Sequence, residues 1–528
     1  MMLVQDYRFK HRNDKFLQGF NEEEMKIKHE NFNVELRRNK RVEKMMKKRK
    51  IISENAADKE QENLYRSVSQ DLQSYSAGLS DRNLSDFDKL SRLTEIIHSD
   101  PPMNVLAAAL TAIRIMISVD SPPDMGILIH LDFPLKCISL LDYSNGAAVV
   151  SEAAWTICNM VSGKHEYAEV LVNLSVIQRL IRIISPDYPL VCEHAVWAIS
   201  NLCGDCIEFA EEVLENGYLE KIMKIKHIWT SQNMELASLI NWSIHNISLR
   251  AKDLNPIGII NVIEIVKELI VIDNLQIFHS CLCVLSNIAN LDNEKIQLIV
   301  DNEFHIYGFE GLKSNQNCII YDSLKFLGII CSGNHDQTQV IIDLGILDII
   351  ETLIDNECNQ IDDEIYFTLA NIAAGNSSQL ELLQNHRIFK RAIKGLAHNS
   401  PKSRKEASFL FSNFCKQAKN FNKLELVELN IFSSLSQALD FNDPDITNNC
   451  LDIIYRIFTA WNAEKYYINY DIKDLFISAG CLAKLEALTN HMNENISAMS
   501  LHIIKEIFEN NEPEIVFEGD SVFDDVIN

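Results

Sequence analysis

The sequence predicts an all-α fold: a solenoid of about ten stacked helical repeats behind a basic helical arm. Three observations predict it. First, Ser151-Glu152-Ala153-Ala154-Trp155-Thr156-Ile157-Cys158-Asn159 recurs as Glu193-His194-Ala195-Val196-Trp197-Ala198-Ile199-Ser200-Asn201, and again around Trp242 and Asn246. Second, the register continues beyond the tryptophans: Trp155, Trp197, Trp242, Cys283, Lys325, Phe367, Phe409 and Asp452 follow one another at steps of 41 to 45 residues. Third, Gly163, Gly204, Gly333 and Gly375 fall seven or eight residues after the aligned position. Each is placed to end a helix in the left-handed conformation that glycine adopts without strain. A period of this length marks stacked helical repeats of the armadillo or HEAT type, each burying its apolar face on its neighbours.

Taken in order, the chain opens with a polar, basic stretch. Asn21-Glu22-Glu23-Glu24 reads as a capped helix start. The apolar residues that follow to Lys50 are too sparse to fold unaided, so this arm (1–55) is expected to order on a partner. Residues 56–85 read as a flexible linker. Helical patterning starts near Asp86, and Asp100-Pro101-Pro102 opens a run through Leu106, Leu110, Ile113 and Met116 that Ser121-Pro122-Pro123 closes. This first repeat lacks the Trp/Asn pair, as capping repeats often do. The repeats (86–510) then follow, each with a further amphipathic pair such as Tyr218–Ile222 or Ile346–Ile350. The 45-residue step places three extra residues in a loop near Trp229. An acidic tail (511–528) ends the chain.

Charge narrows the function. Residues 1–50 hold 15 Lys/Arg against 8 Asp/Glu, while the whole chain carries a formal charge of -25. An acidic body attracts cationic partners and argues against nucleic acid, whose phosphates need a basic surface. No apolar run is long enough to span a membrane. No phosphate-binding loop, metal cluster or nucleophile motif is present, so neither enzyme nor cofactor is expected. His165, His194, His227 and His245 read as core or surface residues. Cys203 and Cys206 have CxxC spacing, but no second pair follows at zinc-site distance. They read as buried, reduced thiols.

The Trp/Asn array suggests its own chemistry. Four residues after each aligned position stand Asn159, Asn201, Asn246, Asn287, Ile329, Asn371, Asn413 and Arg456. An Asn amide can both donate to and accept from a peptide backbone, so a row of them could hold an extended chain without reading its sequence. Indoles alongside would wall slots for Lys or Arg stems, each cation–π contact worth about 0.5–2 kcal/mol. The ligand implied is an extended basic peptide.

Phe32-Asn33-Val34-Glu35-Leu36-Arg37-Arg38, with Lys47-Lys48-Arg49-Lys50 beyond it, resembles the importin-β-binding segment of the importin-α family. The Trp/Asn array is similar to that family's, as are Asp336–Asp343 and Ala487–His491. The resemblance implies a right-handed superhelical armadillo solenoid. It implies a nuclear import adaptor that shuttles between cytoplasm and nucleus, binding Lys/Arg-rich localisation signals of cargo and linking them to importin-β. A recycling exportin is a further implied partner. By the same resemblance the major signal site would comprise Trp155, Asn159, Gly163, Trp197, Asn201, Asp205, Trp242 and Asn246, with Asp205 receiving the key lysine. A minor site would comprise Asn287, Lys325, Glu364, Phe367, Asn371, Glu406, Phe409 and Asn413, with the two glutamates lining it. Phe for Trp, Lys325 for Arg, and Cys283 and Ile329 off-pattern imply a degraded minor site. The Lys47–Lys50 cluster would compete for the major groove until importin-β removes it. The alternative is a general armadillo interaction scaffold, which would lack such an arm.

Overall fold

In the computed structural model, residues 84–118, 122–231, 233–354, 359–441, 443–464 and 471–509 are described. Every regular element among them is helical, as the repeat pattern predicts. The expected arm, linker and acidic tail lie outside the described residues, apart from the linker's last two positions. No described helix is long and apolar enough to cross a membrane. The chain divides into two compact units, meeting at Leu291 and Asp292.

In the unit ending at Leu291, the aligned positions fall on α1 (Ala147–Val161), α2 (Pro189–Asp205), α3 (Met234–Ser248) and α4 (Leu275–Ala289). Each packs on the next. In the other unit, α5 (Asn317–Cys331), α6 (Asn359–Ala373), α7 (Pro401–Gln417) and α8 (Pro444–Glu464) do the same. These helices start where their sequences supply caps. Pro189 and Pro401 occupy first-turn positions that need no N–H. Asn233 and Asn274 accept from first-turn amides.

Shorter helices connect the long ones, and one joint recurs. The residue opening a short helix late in the repeat takes a left-handed backbone: Ser175 (φ 62), Gly217 (φ 74), Glu303 (φ 59), Gly345 (φ 85), Asn430 (φ 61) and Gly480 (φ 79). These are not the glycines that the sequence spacing predicts to be left-handed. Gly163, Gly204, Gly333 and Gly375 have no positive φ. Gly333 and Gly375 are needed for close approach instead. A Cβ on Gly333 would lie 2.1 Å from Gln337 Oε1, and one on Gly375 2.3 Å from Gln379 Oε1. Those glutamines reach back to the Asn334 and Asn376 backbone in capping boxes, crossing the face where a side chain would sit. Trp229 is a second correction. The extra residues form a short helix, Lys226–Ser231, and the buried indole donates to Ile222 O at 3.2 Å.

Candidate functional site

Within the unit ending at Leu291, the asparagines form a ladder that ties each long helix to the one before it. Asn159 Nδ2 donates to Ser118 Oγ at 2.7 Å. Asn201 Nδ2 donates to Cys158 O at 3.4 Å and Asn246 Nδ2 to Ser200 O at 2.9 Å. Asn287 Nδ2 reaches Ser248 Oγ at 3.0 Å. In the other unit Asn371 Nδ2 donates to Gly328 O at 3.0 Å, and Asn413 Nδ2 to Ala370 O at 3.2 Å. Four of these acceptors are the carbonyl one residue before the aligned Asn position of the preceding helix. The final register position replaces the amide with an ion pair. Arg456 Nε donates to Asp452 Oδ1 at 2.7 Å, while Ser412 Oγ links α7 to Asp452 Oδ2 at 2.8 Å.

This geometry revises the sequence reading of the amides. One N–H of each is committed to the neighbouring helix, so the side chain is part structural strut. The carbonyl ends of Asn201 and Asn246 are buried and have no hydrogen-bond partner. A buried, unpartnered amide oxygen costs about 1–3 kcal/mol, and a peptide N–H would satisfy it.

The indoles are less open than the walls of a free slot. Trp155 is half-buried, whereas Trp197 and Trp242 are 7% and 3% exposed. Trp155 already carries a cation from its own chain. The Arg114 guanidinium lies 4.0 Å from its ring centroid and is held by Glu152 at 2.5 Å. His194 is tilted against the same ring at 4.6 Å and bonds Ser151 Oγ through Nδ1 at 3.1 Å. Gly163 is exposed just past the end of α1.

Asp205 ends α2, half-buried, and faces His165 across 2.6 Å from Nδ1 to Oδ1. The hydrogen bond to Asp205 raises the His165 pKa above its ordinary value. His165 also stacks on Phe209, with centroids 5.4 Å apart. The expected lysine receptor therefore holds a basic group of its own chain. The sequence offered no cue, because the two residues are 40 positions apart.

The acids assigned to the minor site do not line an open face. Glu364 is 2% exposed and receives Lys402 Nζ at 2.7 Å. Glu406 is 9% exposed, and its Oε2 has no hydrogen-bond partner. Burial pushes its pKa up to about 8, and Lys402 and Lys405 only partly oppose that. Both glutamates sit three residues before their aromatic, on much the same side of the helix, yet both are buried where the aromatics are half-buried. Phe367, Phe409, Lys325 and Asn413 are half-buried, and Asn371 is fully buried. Ile329 is buried and supplies no amide, leaving the ladder without a side-chain rung there. The arm residues Phe32–Arg38 and Lys47–Lys50 lie outside the described residues.

Comparison with known proteins adds two family matches. Residues 10–109 match the importin beta binding domain, and residues 164–204 match the armadillo/beta-catenin-like repeat. Among curated relatives, the chain is similar to importin subunit alpha-1b of Oryza sativa subsp. japonica. It is 24% identical over 454 residues, covering 82% of this chain and 81% of the relative. Importin subunit alpha-8 of Arabidopsis thaliana is 22% identical, over 77% of this chain and 90% of the relative. A solved engineered protein superposes with a TM-score of 0.67 at 18% identity, covering 79% of this chain and 98% of that one, which supports the fold alone.

Proposed function

We propose that this chain, which belongs to the importin-α armadillo-repeat family, is an import adaptor. It holds basic signal peptides along the Trp155–Asn246 face and couples them to importin-β through its N-terminal segment. The observation that carries the signal-binding reading is the pair of buried, unpartnered Asn201 and Asn246 oxygens on consecutive helices, each beside a tryptophan one turn away. Amides that only braced the stack would not need to leave an acceptor unmet.

Cargo binding is an exchange rather than an addition. Trp197 and Trp242 are covered, and Asp205 already has His165, so an incoming peptide must displace what is there. The Lys47–Lys50 cluster is the competitor we assign to that face, joined to it by a linker that keeps its effective concentration near millimolar. The minor face is the weaker site, because its glutamates are buried and one is paired with Lys402. An exportin would recycle the adaptor, which works in both cytoplasm and nucleus.

The test is binding of a fluorescent single-cluster lysine-rich peptide. Deleting residues 1–60 should tighten binding in the isolated protein, and importin-β should be retained only by the full chain. In the deleted form, alanine at Trp197 and Asn201 should cost more affinity than alanine at Phe409 and Asn413. Equal or reversed costs would overturn the site ranking. Unchanged affinity on deletion would overturn autoinhibition.

A further inference from the structure

At the end of α2, three metal-ligating side chains from two successive repeats converge. His165 is the first residue of the helix His165–Asn173, Asp205 the last of α2, and Cys206 the N-cap of the helix Ile207–Glu215. Their ligand atoms, Nδ1, a carboxylate oxygen and Sγ, all lie within 4.8 Å of one another. We propose that His165, Asp205 and Cys206 form a binding site for a zinc-class transition metal, and that metal and signal lysine compete for Asp205.

The donor set decides the metal class. Imidazole, carboxylate and thiolate suit a borderline-soft ion such as Zn²⁺, whereas Ca²⁺ or Mg²⁺ would ask for oxygens alone. Asp205 and Cys206 are adjacent at a helix junction, which fixes their spacing. His165 is 54% exposed, so by giving up its Asp205 hydrogen bond the ring can turn the short distance that separate metal bonds require. Three protein ligands leave a fourth position for water or for the Glu208 carboxylate, to which the Cys206 thiol donates. Glu166, Glu169 and Glu208 lie around the cluster, with Lys164 near Glu166 and Arg250 near Glu208, so the local acids outnumber the cations and the field favours a dication. Binding replaces the S–H bond with a sulfur–metal bond and releases the thiol proton to Glu208 or solvent, while the His165 Nδ1 proton moves to Nε2 or, from the cationic ring, to solvent. The CxxC partner Cys203 takes no part, because it is buried one helical turn back inside α2.

Competition follows from a single carboxylate serving two cations, and that half of the proposal rests on Asp205 receiving the signal lysine. The test uses the reduced, full-length protein after chelator treatment. Co²⁺ titration should produce one thiolate-to-cobalt charge-transfer band that Zn²⁺ abolishes. The band should be missing in Cys206→Ser, and affinity should fall about tenfold or more in His165→Ala. Zn²⁺ should weaken lysine-rich peptide binding in the wild type but not in Cys206→Ser. A band that persists in Cys206→Ser, or no band at all, overturns the metal site. A normal band with peptide affinity indifferent to Zn²⁺ overturns the competition. A normal band in a protein that binds no basic peptide leaves the metal site standing and removes the signal-binding reading.

Discussion

Asn246→Leu separates a strut from a grip. The wild-type amide donates to Ser200 O at 2.9 Å, and its oxygen is buried without a partner. Losing the donor costs about 1 kcal/mol, the net worth of an ordinary internal hydrogen bond. Ser200 O, as a mid-helix carbonyl, keeps its partner within α2. Removing the stranded oxygen recovers about 1–3 kcal/mol. Leucine keeps the same branched skeleton, so no cavity opens, while its bulkier methyl groups hold the gain toward the lower end of that range. The balance runs from neutral to about 2 kcal/mol more stable. A peptide bound across this rung would instead lose its acceptor, costing it about 1–3 kcal/mol, or roughly 5- to 150-fold in Kd. The assay pairs urea denaturation with peptide anisotropy, both on protein lacking residues 1–60. A leucine variant destabilised by more than about 3 kcal/mol would show that the amide is wholly structural. Unchanged peptide affinity would show that its oxygen grips nothing.

Two further predictions concern the buried acids. Lys402→Met strands the Glu364 carboxylate. Breaking a fully buried pair costs about 3–5 kcal/mol, but the lysine is 34% exposed, so about 1–3 kcal/mol is expected. Adding Glu364→Gln should recover most of it in a double-mutant cycle, and additive losses would contradict the pairing. Glu406 holds its proton up to about pH 8 in the folded chain, against 4.5 in the unfolded one. Between those values the folded state binds the extra proton, so stability falls as pH rises through that window and levels off above it. The slope is at most about 1.4 kcal/mol per pH unit. Glu406→Gln lacks this dependence, so comparing the two proteins at pH 5 and pH 9 should show the wild type losing ground; a constant difference would refute the buried acid.

The repeat architecture was legible because burial imposes a period, and Trp155, Trp197 and Trp242 display it openly. The committed amide donor of each asparagine was not, because a hydrogen bond across 39 to 46 residues leaves no local trace. The capping glutamines had a visible signal. Asn334-x-x-Gln337 and Asn376-x-x-Gln379 each follow a glycine, and that spacing explains the glycine better than a left-handed stop does. The left-handed joint was obscured because serine, glutamate and asparagine share it with glycine. The burial of Glu364 and Glu406 was not legible, because a helical spacing of three says which face two residues share but not how deeply a neighbouring helix covers them.

Because Asn201 and Asn246 each have one hand on the preceding helix, whatever seizes the other hand also splints that stack. Cargo would act as a stiffener, raising resistance to unfolding by about 2.7 kcal/mol at a hundredfold excess over Kd. Releasing that cargo would return a looser spring, primed for the next load.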